Sequence, residues 1–292
     1  MGTARAGPTM GMMLARVLLA SGLVLAAIGL VVSINSWRFR RRVAREAVEM
    51  WGRRGAPRSL VAACELPPPV TRYRARALGT RTVAVRAARL RHGGTFRPRL
   101  DGGWLPIRGE EHFAADPPGF VWWGRARVAP GLWVEARDRS VRGAGGMLVS
   151  VESTVTLADR TGPDMDQGAL LRLLAELPWL PTALFDDRYV GWTAIDDRRA
   201  EARLRVGPVE VAGVFEFGDT CLIVGFTAYR PRDDSGGQAV LASWSGRYGD
   251  YRVVDGLTVP CEVVVSWKED GQDLPYARFQ IERIEFDPAA PY

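Results

Sequence analysis

The sequence predicts a mainly β protein: a single large curved antiparallel sheet, a half-barrel or open barrel, with one packed helix, behind an N-terminal transmembrane helix and a short helical neck. Three observations predict it. From Arg81 onward, apolar residues recur at period two in one short segment after another. The joints between segments are tight, as at Val206-Gly207-Pro208, Asp255-Gly256 and Glu269-Asp270-Gly271, which suits antiparallel hairpins and not parallel crossovers. Only one amphipathic helix, within Asp166 to Phe185, interrupts the run, so its leucines must pack on a sheet. A sheet of so many strands curls to protect its edges.

The chain divides into a tail and membrane helix (1–36), a basic neck (37–79) and a β domain (80–292) carrying the helix 166–177. Val17 to Ile34 is uncharged, and extended back to Met10 across Arg16 it reaches the length needed to cross a bilayer. A cleaved signal peptide is the rival. The apolar run is long for one, has no clear A-x-A-like site, and is followed at once by arginines. Arg38, Arg40, Arg41, Arg42 and Arg45 follow the span, while Arg5 and Arg16 precede it, a bias that favours a cytoplasmic β domain. Phe39 to Arg54 reads as a basic amphipathic helix with Val43, Ala47, Met50 and Trp51 on one side, either continuing the span or lying on the surface. Gly55 and Pro57 break it. Prolines 67–69 pre-set a helix over Val70 to Leu78, closed by Gly79.

Strands follow at Thr82–Arg86, Phe120–Trp123, Leu132–Arg137 and Met147–Leu157. The helix comes next, with Leu170, Leu173, Leu174 and Leu177 on one face and Arg172 and Glu176 towards the other. Asp166 suits its N-cap, and Pro178 ends it. Strands resume at Val190–Ile195, Ala200–Val206, Val209–Phe217, Leu222–Tyr229, Val240–Tyr248, Val259–Trp267 and Tyr276–Phe286, with a longer loop around Asp233-Asp234-Ser235-Gly236-Gly237.

The net charge of +6 is local. Residues 1–58 hold ten arginines against Glu46 and Glu49, and the rest of the chain is nearly neutral, which argues against a basic nucleic-acid-binding face. The post-span arginines instead suit anionic lipid headgroups, as do the nine arginines without an acid from Leu66 to Leu100, for which solvated helix and strand faces are the plainer reading. Cys64, Cys221 and Cys261 are too few and scattered for a metal site or disulfide framework; the last two could pair or be buried small residues.

Catalytic motifs are scarce. His92 and His112 are the only histidines, and no G-x-S-x-G occurs. Glu110-Glu111-His112 alternates across a strand and reads as a solvated edge. Arg142-Gly143-Ala144-Gly145-Gly146 precedes a strand, where a turn or bulge fits better than a phosphate cradle. Neither a metal nor a cofactor is implied. The most distinctive carboxylate is Glu176, near the helix end, with Arg172 four residues back. Facing the concavity it would be a buried charge needing a partner; facing out it would be an exposed partner of Arg172. Ten tryptophans are many for this length, and Trp122, Trp179 and Trp192 are candidates, with Glu176, for lining a ligand site.

With Leu66-Pro67-Pro68-Pro69-Val70, Arg72-Tyr73, Pro117 to Trp122, Asp138, Gly143 to Met147, Leu174-Ala175-Glu176, Trp179 to Leu184, Trp192, Tyr251, Asp255-Gly256 and Pro260, the chain resembles a bacterial family known only as a domain of unknown function, DUF6544. That resemblance spans roughly residues 65–270 and implies no activity and no catalytic residue. The late aromatic strand, Asp-Gly turn and following proline are also similar to lipoprotein-carrier (LolA-like) half-barrels. Those wrap a curved sheet around a helical plug, carry acyl chains and work outside the cytoplasm, opposite to the side the arginines favour. The expected function is a membrane-anchored binding module for an apolar or lipid-like ligand between sheet and helix. The alternatives are an enzyme using Glu176 as general acid or base, and an interaction module with a filled core.

Overall fold

A computed structural model describes residues 10–52, 56, 58–60, 65–233 and 239–292. The break at Gly55 and Pro57, Cys64 and the loop at Ser235 lie outside the described residues.

Helix α1 (Met10–Trp51) runs unbroken for 42 residues, about 63 Å at 1.5 Å per residue. Its most apolar 18-residue window has a mean hydropathy of 2.7 and none of it is buried, so this is a helix long and apolar enough to cross a membrane. Past the apolar stretch the pattern becomes one-sided. Phe39, Val43, Ala47, Met50 and Trp51 are buried, the face the neck sequence marks out. The neck is thus a continuation of the span, and it packs on Ala87, Ala114, Val121, Trp123 and Leu148 of the sheet. Trp51 Nε1 fixes its end by donating to the Phe113 carbonyl at 2.9 Å. Helix α2 (Pro68–Leu78) opens on its prolines and stops at Gly79, whose φ of 54° favours glycine.

The sheet has thirteen strands among the described residues, all antiparallel, in the order β6-β5-β4-β3-β2-β1-β13-β12-β11-β10-β9-β8-β7. One arm holds β1 (Ala87–Phe96), β2 (Leu105–Ala115), β3 (Pro118–Ala129), β4 (Leu132–Val141), β5 (Ala144–Val151) and β6 (Val155–Arg160). The other holds β7 (Val190–Ala194), β8 (Arg199–Val206), β9 (Val209–Phe217), β10 (Ile223–Asp233), β11 (Ala239–Val254), β12 (Leu257–Glu269) and β13 (Gln272–Phe286). The pairing of β1 with β13 joins the two arms. Accumulated right-handed twist curls them towards each other into a half-barrel. Where they meet, a Cβ on Gly143 would sit 2.6 Å from the Val206 carbonyl, an approach only glycine allows.

Helix α3 (Pro163–Glu176) links the two edge strands across the hollow of the sheet. Leu170, Leu173, Leu174 and Leu177 are fully buried, as their spacing requires. Two short 3-10 turns, Leu177–Trp179 and Pro181–Phe185, complete the exit. There Trp179 Nε1 donates to the Pro260 carbonyl at 2.9 Å, and the Val85 amide donates to Thr182 Oγ1 at 3.1 Å.

Three local expectations are corrected. Residues 82–86 are not a strand of the sheet; Val83 makes only an isolated bridge to Ser59. Met147–Leu157 is a hairpin and not one strand, because Glu152 (φ 49°) and Ser153 (φ 51°) take left-handed conformations and turn the chain between β5 and β6. The residue at the helix N-cap is Gly162 and not Asp166, whose Oδ1 accepts from the Gly145 amide at 2.7 Å and ties the helix to the β4–β5 turn.

Candidate functional site

The hollow of the half-barrel holds one charged cluster. Register places Glu111 of β2 beside Trp122 of β3, and Trp122 beside Asp138 of β4, so the three form a row across the strands. Arg172 of α3 points into this row. It donates through Nη1 to Asp138 Oδ2 at 2.8 Å, through Nη2 to Glu111 Oε1 at 3.1 Å and through Nε to Glu176 Oε1 at 2.8 Å. Its guanidinium also lies over the rings of Phe120 (4.8 Å) and Trp122 (4.9 Å). The side chains of Glu111 and Asp138 are 2% exposed, those of Arg172 and Glu176 13%.

The charges do not cancel: three carboxylates face one guanidinium. Burial pushes Glu111 well above the usual carboxylate range, and the neighbouring Glu176 raises it further. Glu176 is raised too, chiefly by burial, with Arg172 pulling the other way. Both shifts run in the direction that favours one proton held on the pair, which would remove one of the excess charges. Asp138 Oδ1 and Glu176 Oε2 remain buried without a hydrogen-bond partner. Next to the row, Trp122 Nε1 donates to His92 Nε2 at 2.9 Å, and burial pushes His92 down to about 4, so the imidazole is neutral at pH 7.

These observations correct the outward placement of Arg172 and Glu176: both are partners, and both are turned inward. A helix inside a half-barrel is covered on more than its leucine face, so its polar side meets the sheet as well. The solvated reading of Glu110-Glu111-His112 is corrected likewise. Glu111 faces the hollow and His112 the opposite side, where it is buried against Trp51 and Tyr292. Of the four candidate ligand-site residues, Glu176 and Trp122 are brought together by Arg172. Trp179 packs near Phe113 (6.4 Å between ring centroids). Trp192 lies apart, against Phe215 and Phe217, with its Nε1 donating to the Leu184 carbonyl at 2.8 Å. Glu111 and Asp138 escape sequence reasoning because only strand register puts them beside Arg172. Among the described residues no group of three potential ligands could hold a metal ion, and Cys221 and Cys261 are free thiols.

Leu90, Phe113, Phe120, Leu204, Phe215 and Phe226 of the sheet are buried in one cluster with the helix leucines. A groove of about 970 Å³ lies elsewhere, along α1 just beyond the apolar stretch. Trp37, Arg38, Arg41, Arg42, Arg45 and one carboxylate, Glu49, line it from the helix, with Leu148, Ser150, Ser153 and Thr156 opposite and Tyr292 at one side. Arg42 pairs with Glu46 at 3.2 Å, and Arg41 lies 4.3 Å over the Trp37 ring. Arg38, Arg41 and Arg45 make no ion pair among the described residues. Arg40 points elsewhere, to Glu110 at 3.0 Å and the Trp123 ring at 4.7 Å, which removes it from the set facing a headgroup.

The model described as a family of unknown function (DUF6544) matches residues 59–279. No curated protein matches. The fold is similar to that of a domain named for outer-membrane lipoprotein sorting from Vibrio parahaemolyticus (9% identity, 76% of this chain and 92% of that one, TM-score 0.39). It is similar to a LolA-superfamily protein from Nitrosomonas europaea (9% identity, 75% and 92%, TM-score 0.38). A third similar structure is a β-barrel-like protein of unknown function, DUF1849, from Brucella abortus (10% identity, 70% and 99%, TM-score 0.27).

Proposed function

The chain belongs to the family of unknown function DUF6544, a membership that assigns no activity, and we propose from its geometry that it is a single-pass membrane-anchored module that binds anionic lipid headgroups in the groove beside α1. One observation carries the reading: a groove lined by Arg38, Arg41 and Arg45, none held in an ion pair among the described residues, opens where the apolar stretch ends. Four arginines line the groove against one lining carboxylate, Glu49, and an excess of arginine attracts phosphate, each contributing about 1 kcal/mol near an anionic surface. Trp37 adds the amphipathic ring that favours the headgroup layer. The filled hollow moves the expected lipid contact from inside the half-barrel to this outer groove. It also leaves the reading of an interaction module with a packed core compatible with the anchor.

Native mass spectrometry of the detergent-released protein tests the proposal. Wild-type protein is expected to retain phosphatidylglycerol over phosphatidylcholine. The triple variant Arg38→Gln, Arg41→Gln, Arg45→Gln is expected to lose that preference by about a hundredfold in affinity, from three contacts of about 1 kcal/mol each. Equal retention of the two lipids by wild type would defeat the reading. Acid–base catalysis by Glu176 is favoured by one observation, the buried and unpartnered Oε2 of a carboxyl group that burial pushes upward. Loss of an activity in Glu176→Gln with retained folding would support it.

A further inference from the structure

The two faces of the β5–β6 hairpin differ sharply. Thr156 and Ser150, opposite each other across the pair, line the arginine groove. The other face carries Val155, 58% exposed, and Leu157 stands at the bulge between Thr156 and Ala158, 59% exposed. Register extends this apolar face inward from the edge: Val155 pairs with Val151, and Val151 with Val134. Leu132 stands two positions beyond Val134 at the same end of the sheet, 40% exposed, and Val128 bulges beside it at 46%. Among the described residues β6 is also an edge strand of the sheet. Natural edges are normally blunted by charge, proline or cover, because an apolar edge in water recruits other strands. This one has its charges, Asp159 and Arg160, only at its far end.

The position of α1 supplies the missing cover. Asn35 Nδ2 donates to Thr154 Oγ1 at 3.2 Å, and Ser153 Oγ donates to Ser36 Oγ at 3.4 Å. Both contacts tie the β5–β6 turn to the residues directly after Ile34. The uncharged stretch from Val17 to Ile34 covers about 27 Å of helix, close to the roughly 30 Å of a bilayer core. With that stretch in the bilayer, the turn lies at the boundary between acyl chains and headgroups, and Val155 is the residue after it. On the opposite face of β6 the arginines of the groove begin at this level with Arg38, about 6 Å beyond Ile34 along α1, and rise to Arg45, about 16 Å beyond it.

We propose that the apolar edge formed by Val128, Leu132, Val155 and Leu157 is a membrane-docking surface, seated in the interfacial layer of the bilayer that α1 enters. It rests on the single-span anchor proposed above, and it adds a second contact that fixes the orientation of the half-barrel. The bilayer supplies on one side the apolar layer that the exposed valines and leucines lack, and on the other the phosphates that face the arginines.

The test uses the full chain in vesicles of phosphatidylcholine and phosphatidylglycerol, with Cys64, Cys221 and Cys261 replaced by alanine. A fluorescent NBD group is attached at Leu157→Cys, at Leu25→Cys within the apolar stretch, or at Tyr229→Cys, which is exposed on the other arm. Doxyl-labelled lipids serve as quenchers. Shallow doxyl groups are expected to quench the Leu157 position by about twofold or more, as interfacial burial requires, deep ones the Leu25 position, and neither the Tyr229 position. Quenching at Leu25 with none at Leu157 would overturn the docking surface and leave the anchor standing. Absence of quenching at Leu25 would remove the anchor, and the docking surface with it. A blue-shifted but unquenched label at Leu157 would assign the edge to a second copy of the chain and overturn the proposal.

Discussion

A single side chain decides how the hollow is charged. Glu111 holds its proton to higher pH in the folded chain than in the unfolded one, so its contribution to stability is present at acid pH and is lost as pH rises above the unfolded value of about 4.3. Glutamine keeps the neutral shape and the acceptor towards Arg172 at every pH. Glu111→Gln is therefore expected to be more stable than wild type at pH 8, by on the order of 1 kcal/mol, with the gap closing towards pH 4.5. Thermal unfolding in detergent across that range measures it; a variant less stable at pH 8, or a gap independent of pH, contradicts the shared-proton account. His92 and His112, pushed down to about 4 by burial, lose stability on acidification in both proteins and cancel in the comparison. At this scale the sequence was only half legible. Glu176 and Trp122 could be singled out as site candidates, yet Glu111 read as a solvated edge and Asp138 only as a family landmark, because the partner that buries them is 61 and 34 residues away.

Among the elements, alternation made β7 to β13 readable, helped by the glycines in the β8–β9, β9–β10, β11–β12 and β12–β13 turns. The two misread segments lacked such signals. Residues 82–86 alternate but have no ladder partner in the sheet, whose pairing begins at Ala87 against Ala114. The β5–β6 turn takes two left-handed residues without any glycine, so nothing in its composition announces it. The exit of α3 was clearer, because two prolines bracket Trp179-Leu180 and stiffen them. Trp179 is buried, bonded to the Pro260 carbonyl and packed near Phe113. Trp179→Ala is expected to destabilise the fold by about 3–5 kcal/mol, read as a lowered denaturant midpoint. A fully stable variant would mean that the exit is held by its prolines alone.

For the whole molecule, the arginines after the span favour a cytoplasmic half-barrel. A cysteine placed at Asp270, in the exposed β12–β13 turn, is then expected to resist an impermeant maleimide in intact cells and to react after permeabilisation. Reaction in intact cells would put the half-barrel on the other side. Helix α1 bears on more than topology. It has no joint between the apolar stretch and the neck, and its last turns are clamped to the sheet by Phe39, Val43, Ala47, Met50 and Trp51. In a bilayer the span and the half-barrel must therefore lean together. A thicker or thinner membrane changes the lean of a single helix, and here that lean is geared directly into the protein above. The neck from Ser36 to Trp51 is an arm of about 22 Å, so a ten-degree lean, well within the ordinary range of tilts, carries its far end about 4 Å sideways. With the apolar stretch in a bilayer, the chain would act as a lever whose fulcrum is the membrane surface.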